Sequence, residues 1–203
     1  MKLTQPKKNE KIIVQAQQKA RAFFRTKRAN CAESVFRAIY EAEETDLPPQ
    51  VSSLMTPLGG GVGMAGETCG ALLAGVMALA LVYGREDHGE VLAEHRRRLW
   101  KVYAFYNQLP HRFKEKYGSL RCWDLTKPYI YGSQKCRQFC EELVAGTAGM
   151  VTELILEARE KGLDFPFQEN LLEQTAKATG LSMEELIRLK EKGDPFPEPR
   201  GKK

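Results

Sequence analysis

The chain has 203 residues, 42% of them hydrophobic and 28% charged, and a formal net charge of +5. That composition is expected of a soluble, globular protein with one fair-sized core, or a core and a small appendage. It excludes a membrane span: the longest near-apolar run, Cys69 to Tyr83, is 15 residues and is bracketed by Glu67 and Arg85, whereas a spanning helix needs roughly 20. The N-terminal MKLTQPKKNEK is charged with no apolar stretch behind it, unlike a secretory signal, so a cytoplasmic location is expected.

The pattern is helical from end to end, with no sustained apolar–polar alternation. Gln5 to Arg25 reads as a basic first helix. Asn30 has the character of an N-cap, with Glu33 three residues on as in a capping box. The helix that follows runs from Cys31 to about Glu44 and turns Val35, Phe36 and Ile39 inward. Pro48 and Pro49 punctuate it, Gln50 to Met55 forms one short turn, and Leu58 to Gly66 is a loop. A central apolar helix then reaches Tyr83, with Thr68 or Gly66 as its cap and Cys69 in its first turn. Its Gly70, Gly75 and many alanines let neighbours approach closely, at a cost in intrinsic helicity. A long amphipathic helix spans Glu86 to about Leu109 and is expected to end at Pro110. Cys122 lies in a short segment beyond Phe113, and Pro128 to Ser133 is a turn. Gln134 to Lys161 is helical and stops at Gly162.

Beyond Leu163 the character changes. Two short helices, about Glu169 to Thr179 and Met183 to Lys190, precede a Pro/Gly/Lys tail expected to be disordered. The stretch Ala176 to Gly193 has the spacing of a helix-turn-helix corner. Its second helix carries Glu184 and Glu185, the wrong sign for DNA. The expected domains are therefore a helical domain over 1–162 and an accessory helical hairpin with tail over 163–203. The basic clusters, Lys7 to Lys11, Arg25 to Arg28 and Arg96 to Arg98, read as solvated helix faces or a phosphate-binding stripe. No aromatic residues interleave with them, so nucleic acid is not an expected partner.

GVGMAG, Gly61 to Gly66, matches G-x-G-x-x-G, but SLMTPLGG precedes it where a dinucleotide site needs a strand. The loop keeps a physical meaning. Its glycines, Gly61, Gly63 and Gly66 among them, permit positive φ and close backbone approach. It also feeds a helix start, which attracts anions. A cover over a reactive group or ligand is one use, and a plain connector is the other.

Five cysteines in a chain read as cytoplasmic argue against a disulfide scaffold and for thiol chemistry, metal binding or packing. Cys69 and Cys31 both fall in predicted first turns, where backbone N–H groups and the helix dipole favour a thiolate. Cys136 and Cys140 are four apart on one helix face, and Cys122 can fold back across the turn to meet Cys136. Of the histidines, His88 and His95 share a helix face, and His111 stands apart. No C-x-x-C-H motif for covalent haem occurs, and no G-x-S-x-G, H-E-x-x-H or Walker motif.

Four segments in order, NCAESV (30–35), GGGVGMAGETCGALLAGVMALALVYG (59–84), FKEKYGSLRCWDL (113–125) and KCRQFC (135–140), resemble a bacterial and archaeal family named for its cysteine pattern, C_GCAxxG_C_C. The resemblance covers about residues 15 to 160. Its four cysteines fall on Cys31, Cys69, Cys122 and Cys136. Cys140 is additional, and the second glycine of C-G-A-x-x-G is displaced to Gly75. The resemblance implies cysteine-based redox behaviour.

Taken together, the expectation is an all-α bundle in which the cysteines converge. Cys69 would be the low-pKa attacking thiolate, with Cys31 as neighbour or resolving thiol, and Cys122 with Cys136 a second pair. Cofactor binding through Gly61, Gly63 and Gly66 beside the four cysteines is the parallel expectation. The same four thiolates, with Cys140 in reserve, suit an iron–sulfur cluster or a structural zinc site without turnover. A redox partner protein or small thiol or electron carrier is the expected partner. A module for a phosphorylated ligand is the outside reading, and small residues along the central helix are compatible with a helical homodimer.

Overall fold

The computed structural model describes residues 5–84 and 93–197. Among them the fold is all-α. The helices are α1 (Gln5–Arg25), α2 (Cys31–Tyr40), a 3₁₀ segment (Pro49–Leu58), α3 (Gly70–Tyr83), α4 (Ala93–Tyr117), α5 (Cys122–Thr126), α6 (Gln134–Lys161), α7 (Leu171–Thr179) and α8 (Met183–Lys192). One isolated antiparallel bridge joins Thr68 and Arg121. None of the described helices is long and apolar enough to cross a membrane. His88 and the last residues of the tail lie outside the described residues.

The chain divides into two units by its contacts: Met1–Gly84 with Leu109–Gly162, and Arg85–Gln108 with Leu163–Lys203. In the first, α1 lies along α6, α2 packs on α1, α3 and α6, and α3 packs on α6. Val35, Phe36 and Ile39 of α2 are buried as the periodicity predicts, with Leu79, Phe113, Val144, Leu154 and Ile155. Helix α3 is apolar on nearly every side, as a buried helix must be. Gly75 makes its close packing workable: a Cβ there would stand 2.9 Å from Leu109 and 3.0 Å from Thr147. The displaced glycine is thus a point of close helix approach.

In the second unit, Phe105 meets Phe165 at 5.2 Å between ring centroids, and Trp100 meets Phe167 at 6.0 Å. Asn170 caps α7, Ser182 and Glu185 form a capping box on α8, and Gly180 turns the chain between them in the left-handed region.

Three boundaries differ from expectation. Helix α2 ends at Tyr40, not Glu44; the N–H groups of Ala42 and Glu43 both turn back to the Ile39 carbonyl. Helix α4 does not end at Pro110 but continues to Tyr117. Leu109 and Phe113, one helical turn apart on one face and spanning the proline, are both fully buried, and that burial outweighs the hydrogen bond the proline lacks. Cys69 is the N-cap residue of α3 rather than a first-turn residue, and its side chain makes no capping bond.

Candidate functional site

The starts of three long helices deliver cysteines to one place. Cys31 is the first residue of α2 and Cys69 the residue before α3. Cys136 is in the first turn of α6, its N–H held by the Ser133 hydroxyl at 3.2 Å. Cys122 opens the short α5. Cys140 lies one turn further along α6. All five line one cavity of about 200 Å³, with Asn30, Tyr131 and Arg137 among its walls, and none forms a disulfide. Cys69, Cys122 and Cys136 are buried, and Cys31 and Cys140 are partly exposed.

Local sequence explains each placement. Asn30 accepts hydrogen bonds from the N–H groups of Ala32 (2.8 Å) and Glu33 (3.0 Å), while Glu33 accepts from the Asn30 N–H (2.8 Å). That capping box fixes where α2 begins and so where Cys31 stands. The Thr68–Arg121 bridge does the same for the next pair. The Cys69 N–H donates to the Leu120 carbonyl (2.8 Å), and the Cys122 N–H donates to the Glu67 carbonyl (2.7 Å). A single strand-like contact thereby holds Cys69 and Cys122 over the same cavity. It is too short to leave a trace in sequence periodicity.

The glycine loop closes against these residues. Gly60, Gly61, Gly63 and Gly66 all take positive φ, and so do Val62 and Met64. Gly61 lies against Cys122, where a Cβ would come 2.6 Å from the cysteine Cβ, and Gly66 lies against Trp123. Gly63 has nothing within 4 Å of such a Cβ. Two of the three glycines expected at a cofactor are therefore packing partners of the cysteine segment, and the third faces open space.

Electrostatics separates the thiols. Burial pushes the Cys31 thiol up, but four backbone N–H groups oppose it, those of Gly60, Ala32, Cys31 itself and Ala71. Burial and then the charge of Cys31 push Cys69 up to about 12, opposed by the N–H groups of Leu72 and Ala71. Cys69 is therefore held protonated, against the low pKa expected of it: as an N-cap residue it is desolvated more than the helix start compensates. Cys122 is raised by burial and then by Cys31 and Cys136. Cys140 is raised by burial and then by the other thiols, Cys136 first. Among the described residues, no group of three or more His, Cys, Asp or Glu side chains is set to hold a metal ion. His111 and His95 do not line the cavity.

Sequence reasoning missed Tyr131, which lines the cavity and whose hydroxyl is raised by burial and then by Cys122. Its signal was the aromatic-rich turn PYIYG between two cysteine segments. Arg137 was also missed; it donates to the Phe24 carbonyl at 3.1 Å and stacks over that ring.

A helical protein whose cysteines meet at helix starts is the class that fold and site define. Residues 29–154 match the family described as "Putative redox-active protein (C_GCAxxG_C_C)", and the chain belongs to that family. An "Uncharacterized protein" of Archaeoglobus fulgidus is 31% identical over 118 residues, 57% of this chain and 78% of that protein. No solved structure matches the chain.

Proposed function

We propose that the chain is a thiol–disulfide redox protein whose reacting pair is Cys31 and Cys69, with Cys31 as the attacking thiol. The observation that carries this reading is how closely the start of α3 approaches Cys31: a Cβ on Gly70, the residue after Cys69, would stand 3.0 Å from the Cys31 sulfur, and the backbone N–H groups of Gly60, Ala32 and Ala71 oppose the rise of that thiol. The thiolate is the nucleophile in exchange, and N–H donors stabilise it most at Cys31. The Cys31 thiolate attacks one sulfur of a disulfide in a partner protein or small thiol carrier. A mixed S–S bond forms, the partner's S–S bond breaks, and the departing thiolate takes up a proton. Cys69 then gives up its proton, attacks the Cys31 sulfur and releases the second partner thiol. Two electrons and two protons pass to the partner, and a Cys31–Cys69 disulfide remains. Every step is reversible. Cys122 and Cys136 form the second pair, with Cys140 as a spare.

Among the described residues, a zinc or iron–sulfur site on Cys31, Cys69, Cys122 and Cys136 finds no support in the arrangement of the donors. The test is anaerobic purification with metal and sulfide analysis, followed by counting free thiols before and after oxidation. Metal-free protein that loses two or four thiols and regains them on reduction supports the reading, as does failure of Cys31→Ser to form the first disulfide while Cys140→Ser still cycles. Stoichiometric iron with sulfide, one tightly held zinc, or five inert thiols overturns it.

A further inference from the structure

A second chamber of about 330 Å³ adjoins the thiol cavity, and Gly60, Cys122, Thr126 and Tyr131 line both. Its remaining wall includes Met64, Trp123, Tyr129 and Lys127. We propose that this chamber binds a planar aromatic two-electron carrier, a quinone or flavin ring, and that Cys122 is the thiol facing it. The inference rests on the thiol redox reading and names the acceptor.

Three observations carry it. The first is the kind of wall. Trp123 is 65% exposed, Met64 66% and Tyr131 53%, so large apolar groups are gathered, unburied, around one hollow. Such gatherings mark ligand or partner surfaces, and the volume is that of a small ligand site. Aromatic rings and a thioether suit the faces of a flat ring, and Lys127 suits an anionic substituent on it.

The second is that the wall is held in place. The Tyr131 hydroxyl donates to the Met64 sulfur at 3.3 Å. The backbone N–H of Trp123 donates to the Gly66 carbonyl at 2.8 Å. Val62 and Met64 sit at φ of 64° and 70°, a region that residues with a Cβ rarely adopt. Backbone strain of this kind collects at ligand sites, and here it aims Met64 across to Tyr131.

The third is what the wall lacks. The Thr126 hydroxyl is engaged with the Cys122 carbonyl at 2.8 Å, and the Tyr131 hydroxyl with the Met64 sulfur. Few side-chain groups are left to pair with the amides of a docking peptide, which favours a ring bound by its faces. In the reaction, Cys122 and Cys136 lose two S–H bonds and gain one S–S bond. The two electrons and two protons reduce the ring to its hydroquinone form.

The experiment uses the full chain with Trp100→Phe, leaving Trp123 as the remaining tryptophan. The probes are 2,3-dimethyl-1,4-naphthoquinone, lumiflavin and FMN, titrated anaerobically against Trp123 fluorescence. Equilibrium dialysis repeats the titrations on variants with unchanged helical content. Expected are saturable quenching by at least one ring, retained binding in Cys122→Ser, and at least tenfold weaker binding in Trp123→Ala and in Met64→Ala. A quinone that binds where the flavins do not, or the reverse, identifies the carrier. Lys127→Ala weakening FMN but not lumiflavin supports the anion contact. No saturable binding by any ring, or binding unaffected by both wall variants, overturns the inference even where a disulfide oxidant still cycles the thiols. Ring binding with five thiols inert to every oxidant overturns the electron-transfer step and the thiol reading while leaving the binding site.

Discussion

Gly70 lies against the sulfur of Cys31: a Cβ built on Gly70 would stand 3.0 Å from Sγ and would run into the Leu58 carbonyl oxygen. The glycine that follows Cys69 is thus needed by a different cysteine, one that begins another helix. Its absent side chain lets the start of α3 meet the start of α2, where the Ala71 N–H favours the thiolate of both cysteines. Gly70→Ala should force the two helix starts apart. A loss of about 1–3 kcal/mol is expected, the usual cost of overpacking. Urea unfolding measures it. Iodoacetamide alkylation of Cys31, followed by mass spectrometry, should change by several-fold. An unchanged midpoint and rate would show that the two helices do not depend on this contact.

Asn30 offers a way to separate position from charge at Cys31. Its side chain caps α2 and also donates to the Thr56 carbonyl at 3.0 Å. Asn30→Ala removes the acceptor for two N–H groups and should cost about 1 kcal/mol or somewhat more. Asn30→Asp keeps the acceptor but places a negative charge beside the Cys31 sulfur, which disfavours its thiolate. It loses the donor to the Thr56 carbonyl, so it should unfold somewhat below the wild-type midpoint, and it should alkylate more slowly at Cys31 at pH 8. Equal rates in the Asp variant and the parent would show that Cys31 does not feel that charge.

How far the site was legible follows from its parts. The Asn30–Glu33 capping box, the inward face of α2 and the ends of α6 are local patterns, and each stands where its residues predict. So does the gathering of five cysteines into one cavity, to the extent that the family resemblance implied it. How burial and backbone N–H groups divide the Cys69 and Cys31 thiols was not legible. It depends on burial and on N–H groups from Gly60 and Ala71, distant in sequence, and on a one-residue bridge, Thr68 to Arg121, that no periodicity announces. Pro110 misled for a related reason: a proline is a local signal, and the burial of Leu109 and Phe113 that overrides it is tertiary.

The loop glycines make unequal demands, and a paired substitution tests that. Gly61 is at φ +71°, and a Cβ there would lie 2.6 Å from Cys122 and 2.7 Å from the Glu67 carbonyl oxygen. Gly63, at φ +59°, has open space around the same position. Both alanine variants bear the left-handed strain of about 1–2 kcal/mol, but only Gly61→Ala adds a collision with the cysteine segment. Gly61→Ala should therefore be the less stable in thermal unfolding, and it alone should raise the alkylation of Cys122. Equal losses in the two would mean that the loop does not pack on Cys122 in solution.

The raised thiols give the protein a defined response to alkali. Cys69 moves from the ordinary value of 9.0 up to about 12 on folding. Between those values the unfolded chain has released the Cys69 proton and the folded chain still holds it, so fewer protons are bound in the unfolded state. Stability then falls as pH rises. The contribution is fully present below pH 9 and is lost progressively up to about pH 12. The shifts at Cys31 and Cys122 have the same direction and add to the decline. Urea midpoints measured under reducing, anaerobic conditions from pH 8 to pH 10.5 should therefore decrease steadily. Cys69→Ala removes one titrating thiol, so its midpoint should fall less steeply over the same range even if it starts lower. Parallel slopes in the variant and the parent would show that the Cys69 thiol is not held protonated by the fold, and would return it to contention as the attacking group.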